Sequence, residues 1–558
     1  MTLTQVDTTP QETWQIRAAR KQASRLASIP AAWRLDNSKF PTPSTEKPTN
    51  AITLDAPRKS GILSDNELDI TENYTAGELL KKLADGTFSA AEVTLAFSKR
   101  AAIAQQLVNC LTETFFDFAS QRAQFLDDYL KTHKKPFGPL HGLPDSFRVK
   151  GYDSTIGYTS FIDRPAAENS PLVDILLNLG AVLYVKTNIP QTLMTADSDN
   201  YVWGRVLNPH KTTLGAGGSS GGEGALIAMR GSLIGVGTDV GGSIRIPALC
   251  NGDYGFKPST HRIPYGGQAT PGLPGAPTGV PACAGPLATA FEDCELFMKA
   301  VIGAHPWNYD ATAHAVPWRT LKPPKTPLTI GLLTEDPEWP LHPPVRHTLA
   351  KAANELRAAG HEIVELPHDP DMSVSTAQEL TFAYFSLDPI RTAVRHIEAG
   401  GEPLIPSART MVSKEYHERY VAKHKYTIDG LAALNVETVA YRNKWRAMWI
   451  KRKLDCIIGP GAQGTAVPHD KYGMVPYTVL WNLLDYPATI IPYSKASKEL
   501  DPNPVKFSLP ARGPDYDPEA ADGAPCAIQI TTPHFQDEEC IAVAGIINQD
   551  LLGSCSRL

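Results

Sequence analysis

Two glycine-rich segments in the middle of the chain constrain its fold more than any other feature. Residues 215–224 read Gly-Ala-Gly-Gly-Ser-Ser-Gly-Gly-Glu-Gly, and residues 237–245 read Gly-Thr-Asp-Val-Gly-Gly-Ser-Ile-Arg. Because glycine tolerates positive φ and carries no Cβ, such backbone can point successive N–H groups into one hollow where an anion fits. A helix-forming run (225–229) and a strand-like run (232–237) follow the first segment, which argues against a flexible linker and predicts a site.

Three familiar glycine motifs do not fit the first segment. A phosphate-binding loop needs a lysine after the glycines, and none follows; a dinucleotide fingerprint needs glycine at the sixth position, which is Ser220. Residues 218–222 do match Gly-x-Ser-x-Gly, the nucleophile elbow of α/β-hydrolases, but that motif requires a buried strand immediately before it. The preceding residues 205–211 are polar and interrupted by proline, so the required strand is missing.

Together the two segments resemble the amidase signature family, with a likeness to the acetamidase-like general amidases that runs from about residue 75 onward. The resemblance implies an α/β fold in which helices cover both faces of a mixed sheet. It also implies hydrolysis of a small-molecule carboxylic amide to carboxylate plus ammonia or amine, through a serine acyl-enzyme and without a cofactor. The alternative from a different class is a catalytically silent binding protein with the amidase fold.

The resemblance also assigns roles to individual residues. Ser243 corresponds to the nucleophile that accepts the acyl group, and Ser219 corresponds to a serine on a cis peptide bond that relays protons. Leu193 falls at a position that lines the acyl pocket. The backbone N–H groups that would form the oxyanion hole, a set of preorganised donors for the developing negative charge, belong to Val240, Gly241, Gly242 and Ser243. Asp239 and Arg245 flank this turn and are interpreted as structural.

The chain departs from its family at the position of the catalytic lysine. A serine hydroxyl needs a base to remove its proton, and relatives supply a neutral lysine from a segment resembling Ile-Ser-Leu-Lys-Asp after a Gly-Leu/Val-Pro turn. Here residues 142–144 (Gly-Leu-Pro) run directly into residues 145–151 (Asp-Ser-Phe-Arg-Val-Lys-Gly). About four strand residues, which would span ~13 Å, are therefore absent.

Three interpretations of this gap stay open. Lys150 is the nearest substitute base, although it matches a second lysine that relatives place away from the serines. The coding sequence could be joined wrongly across Pro144 and Asp145, or the fold could have lost its hydrolytic activity.

Composition narrows the class of protein further. The net charge of −6 and the absence of a long basic run give no reason to expect a nucleic-acid partner. The eight cysteines are scattered without Cys-x-x-Cys and no His-Glu-x-x-His occurs, so we expect buried thiols and no metal. No run of about 18 apolar residues and no signal peptide is found, which predicts a cytoplasmic protein without a membrane span.

Three further expectations concern organisation. Residues 1–60 are expected to form a helical arm and linker that packs on the core or on a second subunit of a homodimer, and residues 61–558 the catalytic domain. A long proline- and glycine-rich loop (261–281) could cover the acyl site, and the loop 461–470 ends near the site in relatives. The terminal Ser556-Arg557-Leu558 resembles a Ser-Lys-Leu peroxisomal address, so peroxisomal residence is the second location predicted.

Local patterns predict individual elements. Capping boxes at Thr75 and Ser89 begin helices, and Ser170-Pro171 begins another that stops before Gly180. Strands are expected at 181–185, 328–333, 362–366 and 454–460, a helix at 345–359, and a final helix at 537–551. The polar stretch 494–525 is expected to be an insertion.

Overall fold

The computed structural model describes residues 12–137, 143–144, 147–273, 279–409, 413, 418–419, 423–424, 427–507 and 513–553. The strands, numbered in chain order, are β1 Leu111–Thr114, β2 Leu143–Pro144, β3 Val185–Thr187, β4 Ile234–Asp239, β5 Tyr254–Lys257, β6 Cys283–Ala288, β7 Thr329–Leu333, β8 Glu362–Leu366, β9 Cys456–Pro460, β10 Ala488–Lys495 and β11 Pro525–Thr531. The terminal tripeptide and the junction residues Asp145 and Ser146 lie outside the described residues.

The helices are numbered in the same way. They are α1 Trp14–Ser28, α2 Ala56–Lys59, α3 Asp65–Glu72, α4 Ala76–Ala84, α5 Ala90–Val108, α6 Phe116–His133, α7 Pro171–Asn178, α8 Gly221–Ala228, α9 Arg245–Asn251, α10 Phe291–Gly303, α11 Pro343–Ala358, α12 Val374–Phe385, α13 Thr392–Gly400, α14 Ile428–Arg452, α15 Pro476–Leu483, α16 Pro518–Ala521 and α17 Asp537–Leu552.

One large mixed sheet carries the site. Its order is β4-β6-β5-β10-β11-β9-β7-β8, antiparallel from β4 to β9 and parallel from β9 to β8. A smaller sheet joins β1, β3 and β2, where β2 runs parallel to β3 with Pro144 opposite Thr187. The predicted α/β fold with a mixed sheet is therefore confirmed.

Helices cover both faces of the large sheet, as predicted. Successive residues of a strand point to opposite faces, and Ile457 and Ile458 of β9 illustrate this. Ile457 packs in a cluster with residues of α12, α14 and α15, whereas Ile458 packs in a cluster with residues of α10, α11 and α17. Two apolar cores thus enclose the sheet between them.

Local signals predicted the starts of several helices correctly. Thr75 and Ser89 each accept a bond from the backbone N–H three residues on, and Glu78 and Glu92 complete the predicted capping boxes. Ser64 and Glu67 form a third box at the start of α3 that the sequence analysis did not identify. The helix after Ser170 and the final helix also begin where predicted.

The described part of the arm, residues 12–60, contains the long helix α1, which packs on the main body. Arg17 of α1 donates to the carbonyl oxygens of Thr159 (3.2 Å) and Gly400 (2.9 Å). The guanidinium of Arg25 lies 5.3 Å from the centre of the Trp203 ring. The helical character of this segment is confirmed, while the domain boundary at residue 60 and the homodimer stay predictions.

One element prediction was wrong. Residues 181–184 are buried but irregular, because the strand begins only at Val185, where β1 offers a partner. Strand pairing over long sequence separations decided this case, and local composition does not report it. Most of the stretch 494–525 lies between β10 and β11, which are neighbours in the sheet, and its character as an insertion stays a prediction.

Two predictions from composition concern the cysteines and membrane-spanning helices. Cys110, Cys250, Cys283, Cys294, Cys456, Cys526 and Cys540 are buried and free, as expected. Among the helices described, none has the length and apolar character needed to cross a bilayer.

Candidate active site

The first glycine segment forms a tight loop at the start of α8. The Gly218–Ser219 peptide bond is cis, as predicted, and Ser219 is 2% exposed. A Cβ on Gly218 would lie 2.5 Å from the carbonyl oxygen of Thr195, so only glycine fits there. The Ser198 hydroxyl lies 2.9 and 3.2 Å from the carbonyl oxygens of Gly217 and Ser219, and holds this loop in place.

The second segment forms a turn between β4 and α9 that is fastened by a buried ion pair. Arg245 donates to both carboxylate oxygens of Asp239 (3.0 Å each), and both side chains are fully buried. The same carboxylate accepts the backbone N–H groups of Gly242 (2.8 Å) and Ile244 (3.2 Å). Asp239 therefore closes the turn that presents Ser243, and the structural role predicted for this pair is confirmed.

Arg245 in turn anchors the turn to distant parts of the chain. Its remaining N–H groups donate to Thr478 (3.0 Å), Gln529 (2.8 Å) and Asn482 (2.7 Å). Although burial acts to raise it, the pKa of Asp239 is lowered by the charge and hydrogen bonds of Arg245. The carboxylate is thus ionised and fully used by its neighbours.

The two serine-bearing segments meet in the structure. The backbone N–H of Ser220 donates to the carbonyl oxygen of Ser243 (3.2 Å), and the Ser220 hydroxyl accepts from the backbone N–H of Thr238 (3.2 Å). This juxtaposition was expected from the resemblance alone, since the two segments are separate in sequence.

The turn differs from the predicted oxyanion hole at one residue. Val240, Gly241 and Ser243 line a cavity, but Gly242 is buried and its N–H is engaged by Asp239. An N–H that donates to a carboxylate is not aimed at a reacting oxygen. The donors offered to a ligand are therefore those of Val240, Gly241 and Ser243, which stay predictions in that role.

The cavity beside Ser243 has a volume of about 60 Å³ and mostly apolar walls. Leu193, as predicted, and Ile246 form one part of it. Phe382 and Phe385 come from α12, and Val479 comes from α15. The sequence analysis missed α12 as a source of wall residues, because nothing in its local sequence links it to the glycine segments. None of the described residues from the loop 261–281 lines this cavity.

A cluster of charges stands at one side of the cavity. Arg205 donates to Asp197 (2.7 Å), Asp199 (2.7 Å) and both oxygens of Asp470 (2.9 Å), and Asp470 itself lines the cavity. The backbone N–H of Asp470 also donates to Asp197 (2.6 Å). The loop 461–470 thus does end at the site.

The cluster's carboxyl groups respond differently to burial. Burial raises the pKa of Asp199 above its ordinary value. Burial acts in the same direction on Asp197, but a hydrogen bond to His469 and the charge of Arg205 bring the pKa of Asp197 below its usual range.

Two lysines bear on the question of the base. The Lys150 side chain is exposed, and its backbone N–H donates to Asn169 (2.8 Å). Lys186 on β3, which the sequence analysis did not single out, is fully buried, and its ammonium donates to the carbonyl oxygen of Asp153 (2.9 Å) and the hydroxyl of Ser154 (2.7 Å). The role of Lys150 as a substitute base stays a prediction.

A second buried carboxyl group, Glu223, lies in the first turn of α8. It accepts a bond from the Thr187 hydroxyl (2.9 Å), and burial raises its pKa to about 8. Glu223 is therefore protonated at neutral pH. The described residues contain no cluster of His, Cys, Asp and Glu side chains suited to a metal ion.

The chain is similar to proteins of one known family. A family model described as Amidase matches residues 92–541. An amidase from Gibberella moniliformis is 40% identical over 96% of this chain and 99% of its own length. An acetamidase from Emericella nidulans is 37% identical over 97% and 99%.

Among solved structures, a fatty acid amide hydrolase superimposes with a TM-score of 0.87 at 31% identity, covering 96% of this chain and 95% of that one. A bacterial aryl acylamidase of the amidase signature family superimposes with a TM-score of 0.67 at 19% identity, covering 86% and 96%. The second likeness concerns the fold alone.

Proposed function

The chain belongs to the amidase family, and from that premise we propose that it hydrolyses a carboxylic amide to carboxylate plus ammonia or amine through an acyl-enzyme on Ser243. One observation carries the proposal. Ser243 lines a cavity together with Gly218, which precedes the cis peptide bond, and with Val240 and Gly241. The proposed nucleophile, relay segment and backbone donors therefore border one space, which supports acyl transfer.

The proposed reaction proceeds in two steps. The Ser243 hydroxyl oxygen attacks the amide carbon, and the charge that develops on the carbonyl oxygen is stabilised by backbone N–H groups. The hydroxyl proton passes by way of Ser219 to the amide nitrogen as its bond to carbon breaks, and ammonia or amine leaves. Water then attacks the Ser243 ester, releasing the carboxylate and restoring the hydroxyl.

The walls of the cavity suit a short apolar acyl group. Leu193, Ile246 and Phe382 are apolar, and the volume of about 60 Å³ leaves little room for a long chain. The name of the Emericella nidulans relative, acetamidase, fits this size.

The proposed reaction lacks the lysine that serves as general base in relatives. Without it, turnover should be low, because general-base assistance contributes typically 10²–10⁴-fold. β2 runs parallel to β3 with Pro144 opposite Thr187, and the next residue after β3, Asn188, accepts the backbone N–H of Gly222 (2.9 Å). A longer β2 would therefore extend towards the glycine loop of Ser219.

This suggests a direct test of the base. Inserting Ile-Ser-Leu-Lys between Pro144 and Asp145 should raise kcat on a short aliphatic amide by about 10²-fold or more. Insertion of Ile-Ser-Leu-Met is the matched control and should not raise it. If the original chain is already fully active, another residue serves as the base, and Lys150→Ala then tests whether that residue is Lys150.

Labelling by an alkyl fluorophosphonate tests the nucleophile. The folded chain should gain the mass of one phosphonyl group, and peptide mapping should place it on Ser243. The Ser243→Ala variant provides the control and should stay unlabelled. A folded chain that is neither labelled nor active would instead favour the catalytically silent binding protein.

A further inference from the structure

Asp470 has a distinctive position in the cavity wall. Among the described residues that line the cavity, it is the one with a formal charge; the polar remainder, such as Thr195, Ser407 and Tyr472, is neutral. Its side chain is 29% exposed, and both of its carboxylate oxygens accept from Arg205. A charged group on a ligand in this cavity would therefore lie close to one charged wall residue, Asp470.

Arg205 does not fully neutralise the Asp470 carboxylate, because its guanidinium is shared with two other carboxyl groups. The same guanidinium donates to Asp197 and Asp199, both at 2.7 Å. His469 also lies beside the cluster, with its Nδ1 4.0 Å from an oxygen of Asp197. Three carboxyl groups therefore share one guanidinium and one imidazole, and with all three ionised the cluster keeps an excess of negative charge whichever way His469 is protonated.

The cluster is held rigidly, so the charge cannot move away from the ligand. Asp470 has a positive φ of 63°, its backbone N–H is bonded to Asp197, and both its carboxylate oxygens accept from Arg205. Arg205 and Asp197 are themselves 16% and 3% exposed, which limits screening by water and salt. A fixed, partly buried charge acts on a ligand more strongly than a mobile surface charge does.

We infer that the Asp470 carboxylate makes the site discriminate against amides whose acyl group carries a negative charge, and in favour of neutral or cationic ones. This inference rests on the proposed function and adds a specificity-determining residue to it. The physical reason is that a carboxylate entering a small apolar cavity would lose its water and gain only the repulsion of Asp470.

Three amides of similar size and different charge form the test. Succinamate is anionic, isocaproamide is its neutral isostere, and γ-aminobutyramide is cationic. Their dissociation constants for the chain, measured by competitive saturation-transfer NMR, should rank succinamate as the weakest ligand. In Asp470→Asn, which keeps the size and the acceptor oxygen, the ratio of succinamate to isocaproamide affinity should rise about threefold to tenfold.

Glu365→Gln is the matched control. It removes one exposed negative charge from β8, at the opposite edge of the sheet from β4, and should leave the affinity ratio at its original value. A ratio that is the same in the original chain, Asp470→Asn and the control would overturn the inference, as would absence of binding by all three amides. Turnover of isocaproamide, measured separately, reports on the proposed function, so hydrolysis with an unchanged ratio would refute only the role of Asp470.

Discussion

Two buried carboxyl groups, one beside each glycine segment, have opposite charge states. Asp239 and Glu223 are both fully buried, and burial alone acts to raise the pKa of each. Asp239 has Arg245 as a partner, which holds its pKa low, whereas Glu223 has a bond from the neutral Thr187 and a pKa of about 8. The partner, and not the burial, decides which group is ionised.

The difference corresponds to two structural tasks. Ionised Asp239 accepts five hydrogen bonds around the Ser243 turn, two from Arg245 and one each from Gly242, Ile244 and Asn482. One oxygen of Glu223 finds no partner among the described residues, which fits a protonated group that fills space beneath α8. The Ser243 turn is therefore fixed by charge, whereas Glu223 in the first turn of α8 contributes a neutral hydrogen bond and packing.

Removing the Ser243 hydroxyl should have the largest effect on activity. It also separates the catalytic role of this residue from any role in stability. In the variant that carries the Ile-Ser-Leu-Lys insertion, we expect Ser243→Ala to lose on the order of 10⁴-fold or more in kcat/KM, because no acyl group can then be accepted. The free energy of unfolding should change by less than about 1 kcal/mol, since Asp239 does not bond to this hydroxyl. Amide turnover and urea denaturation measure the two quantities, and retention of most activity would refute the assignment.

Breaking the ion pair should have the next largest effect. Arg245→Met leaves Asp239 buried without its cation, and we expect the free energy of unfolding to fall by about 3–5 kcal/mol. Activity should fall as well, because the turn loses its anchor.

The control for this variant is Arg346→Met. Arg346 pairs with Glu335 at 2.7 Å, but its side chain is 50% exposed, so we expect a loss of at most about 1 kcal/mol. Equal losses in the two variants, measured by urea denaturation, would contradict the role given to the buried pair.

The pH dependence of the unfolding free energy tests the charge state of Glu223. The folded state holds a proton up to a pKa of about 8, whereas the unfolded chain releases it near 4.5, so stability should decrease as pH rises between these values. Glu223→Gln has no group that titrates at this position. The unfolding free energy of the variant minus that of the original chain should therefore be about 2–4 kcal/mol larger at pH 8 than at pH 5.

Glu402 and Asp293 also have pKa values raised by burial to about 7, so they too make the unfolding free energy depend on pH. The two chains must therefore be compared by subtraction. Unfolding free energies of the two chains across this pH range, subtracted, isolate Glu223. The exposed Glu365→Gln should follow the original curve. A flat difference curve for Glu223→Gln would show that Glu223 is not protonated in the folded state.

The smallest effect is expected from the neutral hydrogen bonds at the cis peptide. Ser198→Ala removes a hydroxyl that contacts two carbonyl oxygens and accepts the Gly221 N–H (3.1 Å). We expect a loss of about 1–2 kcal/mol in unfolding free energy by the same denaturation assay. Ser28→Ala, at the exposed end of α1, should cost less than about 0.5 kcal/mol, and a similar cost at Ser198 would mean that the loop is held by other contacts.

The sequence by itself determined the family, the starts of several helices and the two serine segments. Capping boxes and glycine-lined turns are local, so the residues that form them stand together in the chain and can be read there. The sequence also indicated Leu193 and the loop ending at Asp470 through the family resemblance.

Only the tertiary structure decided the rest. It joined Arg245 to Gln529 and Asn482, brought α12 to the cavity, and placed Arg205 against Asp470, which is 265 residues away. It also gave Asp239 a cation and Glu223 none. A charge state depends on burial and on partners across the fold, and neither is encoded in the residues next to the carboxyl group in sequence.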